Sequence, residues 1–387
     1  MTRRIVTLVA VATALAALVA CSHTAAKQQK KNDKPSELVK ITAQFQPVRV
    51  WSATLGKPEP KLRLGLAPAI DGNRVYGAGP HGEVVAIDLA TGRRVWQRQL
   101  KLALSGGPGA GNGLVLVCSN GGTVVALASS DGAERWRAEL NSELLAAPVI
   151  TPDLAIVRTV DGKLYALEAA NGKVRWVTDQ QVPRLTLRGT SRPVISGELV
   201  YSGFDNGRLM AVTLAGGTTA WDVAVGQPRG SSELQRLIDI DSPASVDGDD
   251  IFAVAFQGHA VRLARDTGRE IWSHEISSYR GLVADALGVY VATADGDVVR
   301  LDRASGAERW RQKALERRSL TSPVLQGNRV VVADYQGVMH WLSMEDGSFL
   351  ARSKGGARIS GAPQVAGDLI VVQTDKGAIE AWRAPVK

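Results

Sequence analysis

The clearest pattern along the chain is an alternation of apolar and polar residues that recurs about every forty residues. In each copy a glycine turn precedes a short alternating strand, and in six of the eight a second glycine turn leads to a strand ending in tryptophan, as in "HGEVVAIDLATGRRVW" from residue 81. The leading glycines are Gly82, Gly122, Gly162, Gly207, Gly258, Gly296, Gly337 and Gly377. Period-two alternation between glycine turns predicts β-strands.

Two further strand-like runs precede each copy, so each repeat predicts four short strands, which is typical of a propeller blade. Seven of the eight first strands begin with proline, which is tolerated at that position of a strand. The eighth copy ends before its tryptophan strand, whereas "PVRVWSATL" from residue 47 supplies one. We therefore predict an all-β, eight-bladed β-propeller of four-stranded antiparallel blades over residues 45–387. The N-terminal strand completes the last blade and closes the ring.

Tryptophan stands at the same position of most repeats, and the N-terminal strand adds one more. These residues are Trp51, Trp96, Trp136, Trp176, Trp221, Trp272 and Trp310, and Ala351 interrupts the series. One large ring per repeat is suited to filling the gap between neighbouring blades. We therefore interpret them as packing residues rather than as an aromatic cage for a cofactor.

The N-terminus has the features of a targeting segment. Two arginines precede the apolar run "IVTLVAVATALAALV", and "LVAC" ends at Cys21. Cysteine after Leu-x-Ala resembles a bacterial lipobox, in which the cysteine takes a diacylglycerol. We predict a lipoprotein signal peptide over 1–20, lipidation at Cys21 with further acylation such as palmitate, and a flexible tether over 21–44. Serine rather than aspartate after the cysteine resembles lipoproteins sorted to the outer membrane.

The formal charge of +8 does not indicate a nucleic-acid-binding protein. Arg3 and Arg4 account for two of the excess positive charges and residues 22–40 for three more, which leaves three for the whole body. The body carries no basic stripe interleaved with aromatic residues, so we expect no nucleic-acid partner. Cys118, the second of two cysteines, lies in an apolar strand and is expected to be a buried, inert thiol.

The chain offers little that predicts catalysis. Residues 239–250, "DIDSPASVDGDD", fail as a calcium loop because Pro243 stands where the third ligand is needed and no glutamate stands at the twelfth position. The five histidines show no metal-binding spacing, and no GxSxG nucleophile motif occurs. The repeats resemble the tryptophan-docked blades of quinoprotein dehydrogenases, which is the alternative enzyme hypothesis. Those enzymes are longer and many carry a vicinal cysteine pair, so we expect a protein that is not an enzyme, with no cofactor and no metal.

Two consecutive links between blades are longer than most others. From the tryptophan of one repeat to the first proline of the next, three links span 12 or 13 residues, whereas Trp176–Pro193 spans 17 and Trp221–Pro243 spans 22. The link from Trp51 to Pro68 also spans 17. All such links join an outer strand to an inner strand and open on the same face. We therefore expect the two consecutive links to lie side by side, where a rigid scaffold presents a binding surface.

The composition of these two links suits a protein partner. The first offers Leu185, Leu187 and Arg188, and the second offers Leu237, Asp239, Ile240 and Asp241. Apolar anchors beside an arginine and carboxylates are typical of a binding hot spot. The alternative is structural: the leucines would fill the mouth of the propeller, and Arg188 would pair internally with Asp239 or Asp241.

The lipobox, the tether and the eight repeats together resemble the BamB family, lipoproteins of the outer-membrane β-barrel assembly machinery of Gram-negative bacteria. The local agreement is best at "LTLRG" (185–189) and "RLIDID" (236–241). The resemblance implies that Leu185, Leu187, Arg188, Asp239 and Asp241 bind BamA through its periplasmic POTRA domains.

The resemblance also implies a scaffold on the outer membrane, held by its lipid and facing the periplasm, that helps barrel proteins fold and insert. Direct contact with unfolded barrel precursors stays an open alternative, since exposed blade edges can pair with an extended strand.

Overall fold

The computed structural model describes residues 34–57, 64–183, 185–187, 189–228 and 230–385. These residues form 32 strands and no helix, and the strands assemble into eight sheets of four antiparallel strands each. The predicted all-β propeller with eight blades is confirmed.

The first four blades follow one another along the chain. Blade 1 contains β2 (Ala69–Asp71), β3 (Arg74–Ala78), β4 (Glu83–Asp88) and β5 (Arg94–Gln99). Blade 2 contains β6 (Leu104–Gly111), β7 (Leu114–Ser119), β8 (Thr123–Ala128) and β9 (Glu134–Glu139). Blade 3 contains β10 (Val149–Ile150), β11 (Leu154–Arg158), β12 (Lys163–Glu168) and β13 (Val174–Asp179). Blade 4 contains β14 (Val194–Ser196), β15 (Leu199–Gly203), β16 (Arg208–Thr213) and β17 (Thr219–Ala224).

The other four blades repeat this plan. Blade 5 contains β18 (Ser245–Asp247), β19 (Asp250–Val254), β20 (His259–Ala264) and β21 (Glu270–Glu275). Blade 6 contains β22 (Leu282–Ala284), β23 (Val289–Ala292), β24 (Val298–Leu301) and β25 (Glu308–Gln312). Blade 7 contains β26 (Val324–Gln326), β27 (Arg329–Ala333), β28 (Met339–Ser343) and β29 (Phe349–Arg352). Blade 8 contains β30 (Gln364–Ala366), β31 (Leu369–Gln373), β32 (Ala378–Arg383) and, from the N-terminus, β1 (Val48–Thr54).

The two ends of the chain meet in blade 8. Strand β1 pairs antiparallel with β32, with Val48 opposite Arg383 and Thr54 opposite Ala378. Closing a ring of sheets in this way uses the last blade's free edge and holds the first and last strands in one sheet. The predicted closure by the N-terminal strand is confirmed.

The tryptophans fasten each blade to the next. The indole Nε1 of Trp96 in blade 1 donates a hydrogen bond to the carbonyl of Ser129 in blade 2, at 2.9 Å. Six more bonds of this kind, between 2.7 and 3.0 Å, join Trp51 to Leu89, Trp136 to Ala169, Trp176 to Leu214, Trp221 to Arg265, Trp272 to Arg303, and Trp310 to Met344. All the acceptors lie at the turn between the third and fourth strands of the receiving blade. The packing interpretation of the tryptophans is confirmed.

Glycine in these turns makes room for the indole. A Cβ added to Gly172 would lie 2.5 Å from the ring of Trp136, and one added to Gly132 would lie 2.7 Å from Trp96. The φ of Gly172 is +75°, which a residue with a side chain rarely adopts. Both the close approach and the backbone conformation therefore require glycine at this position.

The missing tryptophan at Ala351 has a structural explanation. In blade 8 the third and fourth strands are the two ends of the chain, so no turn joins them and no turn carbonyl is available to an indole from blade 7. Phe45, just before β1, packs edge-on against Trp341, with the ring centroids 6.0 Å apart, and the Arg329 guanidinium lies 4.2 Å from the centroid of the Phe45 ring. Phe45 and Trp341 thus fill the interface that the repeated tryptophan fills elsewhere.

The segment that leads into β1 lies along blade 7. The backbone N–H of Gln44 donates to the carbonyl of Leu350 at 2.8 Å, and that of Ser36 donates to Glu316 at 3.1 Å. Arg318, which also pairs with buried Asp334, donates to the Ser36 carbonyl at 2.8 Å. Contacts with the ring therefore begin within the predicted tether, and residues 21–33 lie outside the described residues.

The order of strands assigns the loops to two faces. Every link from a fourth strand to the next first strand lies on one face, together with the turns between second and third strands. We call this the link face. The turns between first and second strands, and between third and fourth strands, lie on the opposite face.

Two smaller observations complete the fold. Cys118 is fully buried in β7, and burial raises the pKa of its thiol far above the usual value, as expected for an inert thiol. No helix long and apolar enough to cross a membrane occurs among the described residues.

Replacing Gly172 with alanine tests the docking of the indole. The Gly172→Ala variant is expected to lose about 2–4 kcal/mol of unfolding free energy, because both the positive φ and the overlap with Trp136 oppose the new Cβ. Urea unfolding measures the loss. Gly197→Ala is the matched control, since Gly197 has φ +59° and nothing within 4 Å of its added Cβ. Equal losses in the two variants would contradict the steric role of the turn glycine.

Candidate partner-binding surface

Two consecutive links lie side by side on the link face, as the repeat spacing predicts. We call residues 180–193, between β13 and β14, the third link, and residues 225–244, between β17 and β18, the fourth link. The Oγ of Ser191 donates to the carbonyl of Ser242 at 2.9 Å. A Cβ added to Gly189 would lie 2.1 Å from Oδ1 of Asp241, so only glycine allows this approach. The two long links therefore form one continuous surface.

The apolar residues of the two links divide into exposed and buried groups. Leu185 is 43% exposed, and Leu187 is half-buried. By contrast, Leu237 and Ile240 are buried, and Ile240 belongs to the core between blades 4 and 5. The expectation that Leu237 and Ile240 belong to the outer surface is wrong, because both side chains are buried and Ile240 fills the gap between neighbouring sheets. The apolar part of the surface is thus supplied by the third link.

The fourth link presents a different apolar residue. Leu234 is 67% exposed, in a turn in which the Gln235 carboxamide accepts hydrogen bonds from the backbone of Ser231 and Ser232. The sequence analysis missed Leu234. Its neighbours in "SSELQR" are all polar, and a single apolar residue in a polar stretch is often exposed. Leu234 widens the apolar surface beyond the predicted residues.

The two predicted aspartates lie beneath the surface. Asp239 is completely buried, and neither of its carboxyl oxygens has a hydrogen-bond partner among the described residues. Its backbone carbonyl accepts a hydrogen bond from the N–H of Phe256 at 2.7 Å, which pins the link to blade 5. Asp241 is half-buried, and its Oδ1 also has no hydrogen-bond partner within the described chain. Asp239 therefore supports the fourth link from beneath the surface.

A buried ion pair lies next to the aspartates. The guanidinium of Arg158, at the end of β11, donates to Oδ1 of Asp205 at 2.9 Å, and both side chains are almost inaccessible. The same guanidinium lies 4.5 Å from the centroid of the Phe204 ring. The sequence analysis missed this pair, although an arginine that ends the apolar run "LAIV" is a recognisable signal. The positive charge of Arg158 acts on the carboxyl groups of Asp205, Asp239 and Asp241.

The crowding of carboxyl groups changes their protonation. Burial, together with the charges of Asp241 and Asp205, raises the pKa of Asp239 to about 9, against the opposing effect of Arg158. Burial and the charge of Asp205 raise the pKa of Asp241 to about 7. Three carboxyl groups therefore share one fully buried guanidinium, and Asp239 holds its proton at neutral pH.

Two predicted site residues lie outside the described residues. Arg188, the proposed cation of the surface, and Cys21, the proposed lipidation site, are both in this group. Among the residues that the structure describes, no group of three or more His, Cys, Asp or Glu side chains is arranged to hold a metal ion.

The raised pKa of Asp239 makes stability depend on pH in a defined direction. Between the ordinary carboxyl pKa and the raised folded value, the folded chain binds more protons than the unfolded chain, so stability falls as pH rises through this window. The Asp239→Asn variant has no carboxyl group at this position, so it should not lose stability in this way as the pH rises. Relative to wild type, it should gain about 4 kcal/mol of unfolding free energy on going from pH 5 to pH 8, measured by urea denaturation, because each pH unit between the two pKa values changes stability by about 1.4 kcal/mol.

A second variant serves as the control for this comparison. Asp249 has a fully exposed carboxylate, so Asp249→Asn should differ from wild type by the same amount at both pH values. A difference between Asp239→Asn and wild type that does not change with pH would mean that Asp239 is ionised in the folded protein, contrary to the assignment.

Comparison with known proteins assigns the family. The family model described as outer membrane protein assembly factor BamB matches residues 43–103, 80–312 and 294–384. An outer membrane protein assembly factor BamB from Pseudomonas aeruginosa is 44% identical over 369 residues, covering 95% of this chain and 96% of that protein. Its counterpart from Kangiella koreensis is 39% identical over 388 residues, covering 100% of this chain and 97% of its own length.

Solved structures agree with the sequence relatives. The crystal structure of BamB from Moraxella catarrhalis aligns with a TM-score of 0.81 at 28% identity, covering 87% of this chain and all of that one. A quinohemoprotein alcohol dehydrogenase from Comamonas testosteroni aligns with a TM-score of 0.69 at 13% identity, covering 91% of this chain and 79% of that one, which shows a shared fold alone. By the family model and by relatives that match over nearly its whole length, this chain belongs to the BamB family of outer membrane protein assembly factors.

Proposed function

We propose that this chain is a non-catalytic scaffold of the outer-membrane β-barrel assembly machinery and that it binds the periplasmic POTRA region of BamA. In this role it assists the folding and insertion of outer-membrane β-barrel proteins. The names of the relatives, outer membrane protein assembly factors, support the assignment of this chain to that process. The main support for the proposed binding surface is that Leu185 is exposed on the third link, which is hydrogen-bonded to the fourth link.

The surface combines a hydrophobic centre with a rigid support. Leu185 and Leu187 supply apolar contacts, and Leu234 extends the apolar area. Hot spots of protein interfaces are apolar or aromatic anchors with few charged neighbours at the centre. The bond from Ser191 to Ser242 holds the end of the third link against the fourth, and a preorganised surface binds more tightly.

The charged residues have distinct roles in this proposal. Arg188, adjacent to Leu187 in sequence, contributes the cation that the family resemblance implies. Asp241 faces the junction of the two links, and buried Asp239 acts through the position of the fourth link rather than by touching the partner. Substitution of Asp239 would therefore alter binding through the shape of the surface.

The anchor forms the second part of the proposal. Cys21 carries the lipid that holds the protein on the outer membrane, and the propeller faces the periplasm. Two or three acyl chains bind a bilayer far more stably than one, so the docking surface stays at the membrane where barrels insert. Mass spectrometry of the mature N-terminal peptide tests the anchor, since an unmodified Cys21 would contradict it.

Co-purification from solubilised envelopes tests the docking surface. The bait is the lipidated chain, either wild type or Leu187→Glu, and the amount of co-purified BamA is quantified. A charge at the centre of the interface is expected to weaken binding by about 30-fold, corresponding to roughly 2 kcal/mol for a hot-spot residue.

A matched substitution separates a local effect from a general one. Leu287 is 59% exposed in the turn between β22 and β23, on the face opposite the links, so Leu287→Glu should co-purify BamA like wild type. Far-ultraviolet circular dichroism confirms that both variants fold. Undiminished co-purification with Leu187→Glu would contradict the proposed surface, as would equal losses from both substitutions.

A further inference from the structure

A polar cavity of about 690 Å³ lies at the centre of the ring, on the link face. Its walls come from several links and from the first residues of the inner strands, including Thr190, Arg192, Asp241, Ser242 and Arg280. Cavities that hold small molecules have volumes in this range and present a few converging polar groups. The leucines of the proposed docking surface are not among the residues of this wall.

Arg192 projects into the cavity without a counter-charge. Its side chain makes no ion pair and no hydrogen bond with the described residues, although solvent within the cavity reaches it. Desolvation by the surrounding walls lowers the pKa of the Arg192 guanidinium, and no neighbouring carboxylate offsets this effect. Arg192 therefore offers the cavity a positive charge with unpaired N–H donors, which favours an anion beside it.

Arg280 is the second cation of the cavity. Its guanidinium lies 4.7 Å from the centroid of the Tyr279 ring, which fixes its orientation. Its Nε is buried and has no hydrogen-bond partner among the described residues. Arg280 therefore has at least one free N–H donor in a position fixed by its neighbour.

The two arginines are carried on segments that meet at Ser242. Ser191, next to Arg192, donates to the Ser242 carbonyl, and a Cβ added to Gly281, next to Arg280, would lie 2.5 Å from Cβ of Ser242. The hydroxyl of Thr190 is also buried without a partner and belongs to the same wall. The two arginines are therefore held on adjoining parts of the same cavity wall.

We propose that this cavity binds a small oxyanion, a phosphate or a short dicarboxylate, between Arg192 and Arg280. Guanidinium groups recognise carboxylate and phosphate oxygens through paired N–H donors. Asp241 opposes the anion, because its carboxyl group lies close enough to Arg280 for their charges to interact. The site is independent of the docking function, since it needs no protein partner.

Thermal unfolding of the detergent-solubilised full chain tests the site. Sodium phosphate and sodium succinate are titrated separately, and sodium chloride at equal ionic strength is the reference. A saturable rise of Tm with phosphate, succinate or both, beyond the rise with chloride, is expected because a ligand that binds only the folded state stabilises it. The two probes distinguish a phosphate site from a carboxylate site.

Substitutions locate the bound anion. Arg192→Gln and Arg280→Gln should each weaken the apparent affinity at least 10-fold, whereas Asp241→Asn, which removes the opposing charge, should tighten it several-fold. The control is Arg309→Gln, because Arg309 is an exposed residue of β25 that pairs with Asp302 far from the cavity. It should bind like wild type.

Three results would overturn the proposal. The first is the lack of a saturable rise beyond that produced by chloride. The second is a rise that persists unchanged in both Arg192→Gln and Arg280→Gln. The third is equal weakening by Arg309→Gln, which would indicate general screening of charge. Because Asp241→Asn changes affinity in the opposite direction, a folding defect cannot imitate the complete pattern.

Discussion

One repeated contact holds the ring together: an indole from one blade donates its hydrogen bond to a turn carbonyl of the next. Seven interfaces use it, from Trp51 on Leu89 to Trp310 on Met344. Removing a buried tryptophan side chain typically costs about 3–5 kcal/mol, so each contact is a large fraction of a domain's net stability. The glycine turns, the regular blade spacing and the fixed positions of the links all depend on this contact.

The exception at Ala351 follows from the same constraint. An indole needs a turn to receive it, and the blade that contains both chain ends has no such turn between its outer two strands. Phe45 occupies this interface from the N-terminal side, and its contact with Trp341 joins residues almost 300 positions apart. The segment that leads from the tether is therefore part of the ring closure and fixes where the chain leaves the propeller.

The regular part of this architecture could be predicted from the sequence, because period-two strands and turn glycines encode local structure. The adjacency of the two long links followed as well, since repeat spacing determines which links are neighbours. The burial of Ile240 and Asp239 could not be predicted, because an irregular link has no period that assigns its side chains to a face. The Arg158–Asp205 pair and the presence of Arg192 and Arg280 in one cavity wall depend on how different blades are placed, which no local pattern records.

The proposed docking surface and the proposed anion site lie on the same face, and Asp241 lies where the two adjoin. Leu185 of the third link is exposed, whereas the arginines line the space at the ring axis. Rigid blades allow both, because links of unequal length on one scaffold can serve different partners.

The central claim is that the third link touches the assembly partner, and photo-crosslinking in intact cells tests it most directly. A photoreactive phenylalanine analogue placed at Leu185 is predicted to crosslink to BamA, whereas the same analogue at Leu287, on the opposite face, is not. A crosslink to BamA from position 287 and none from position 185 would contradict the account.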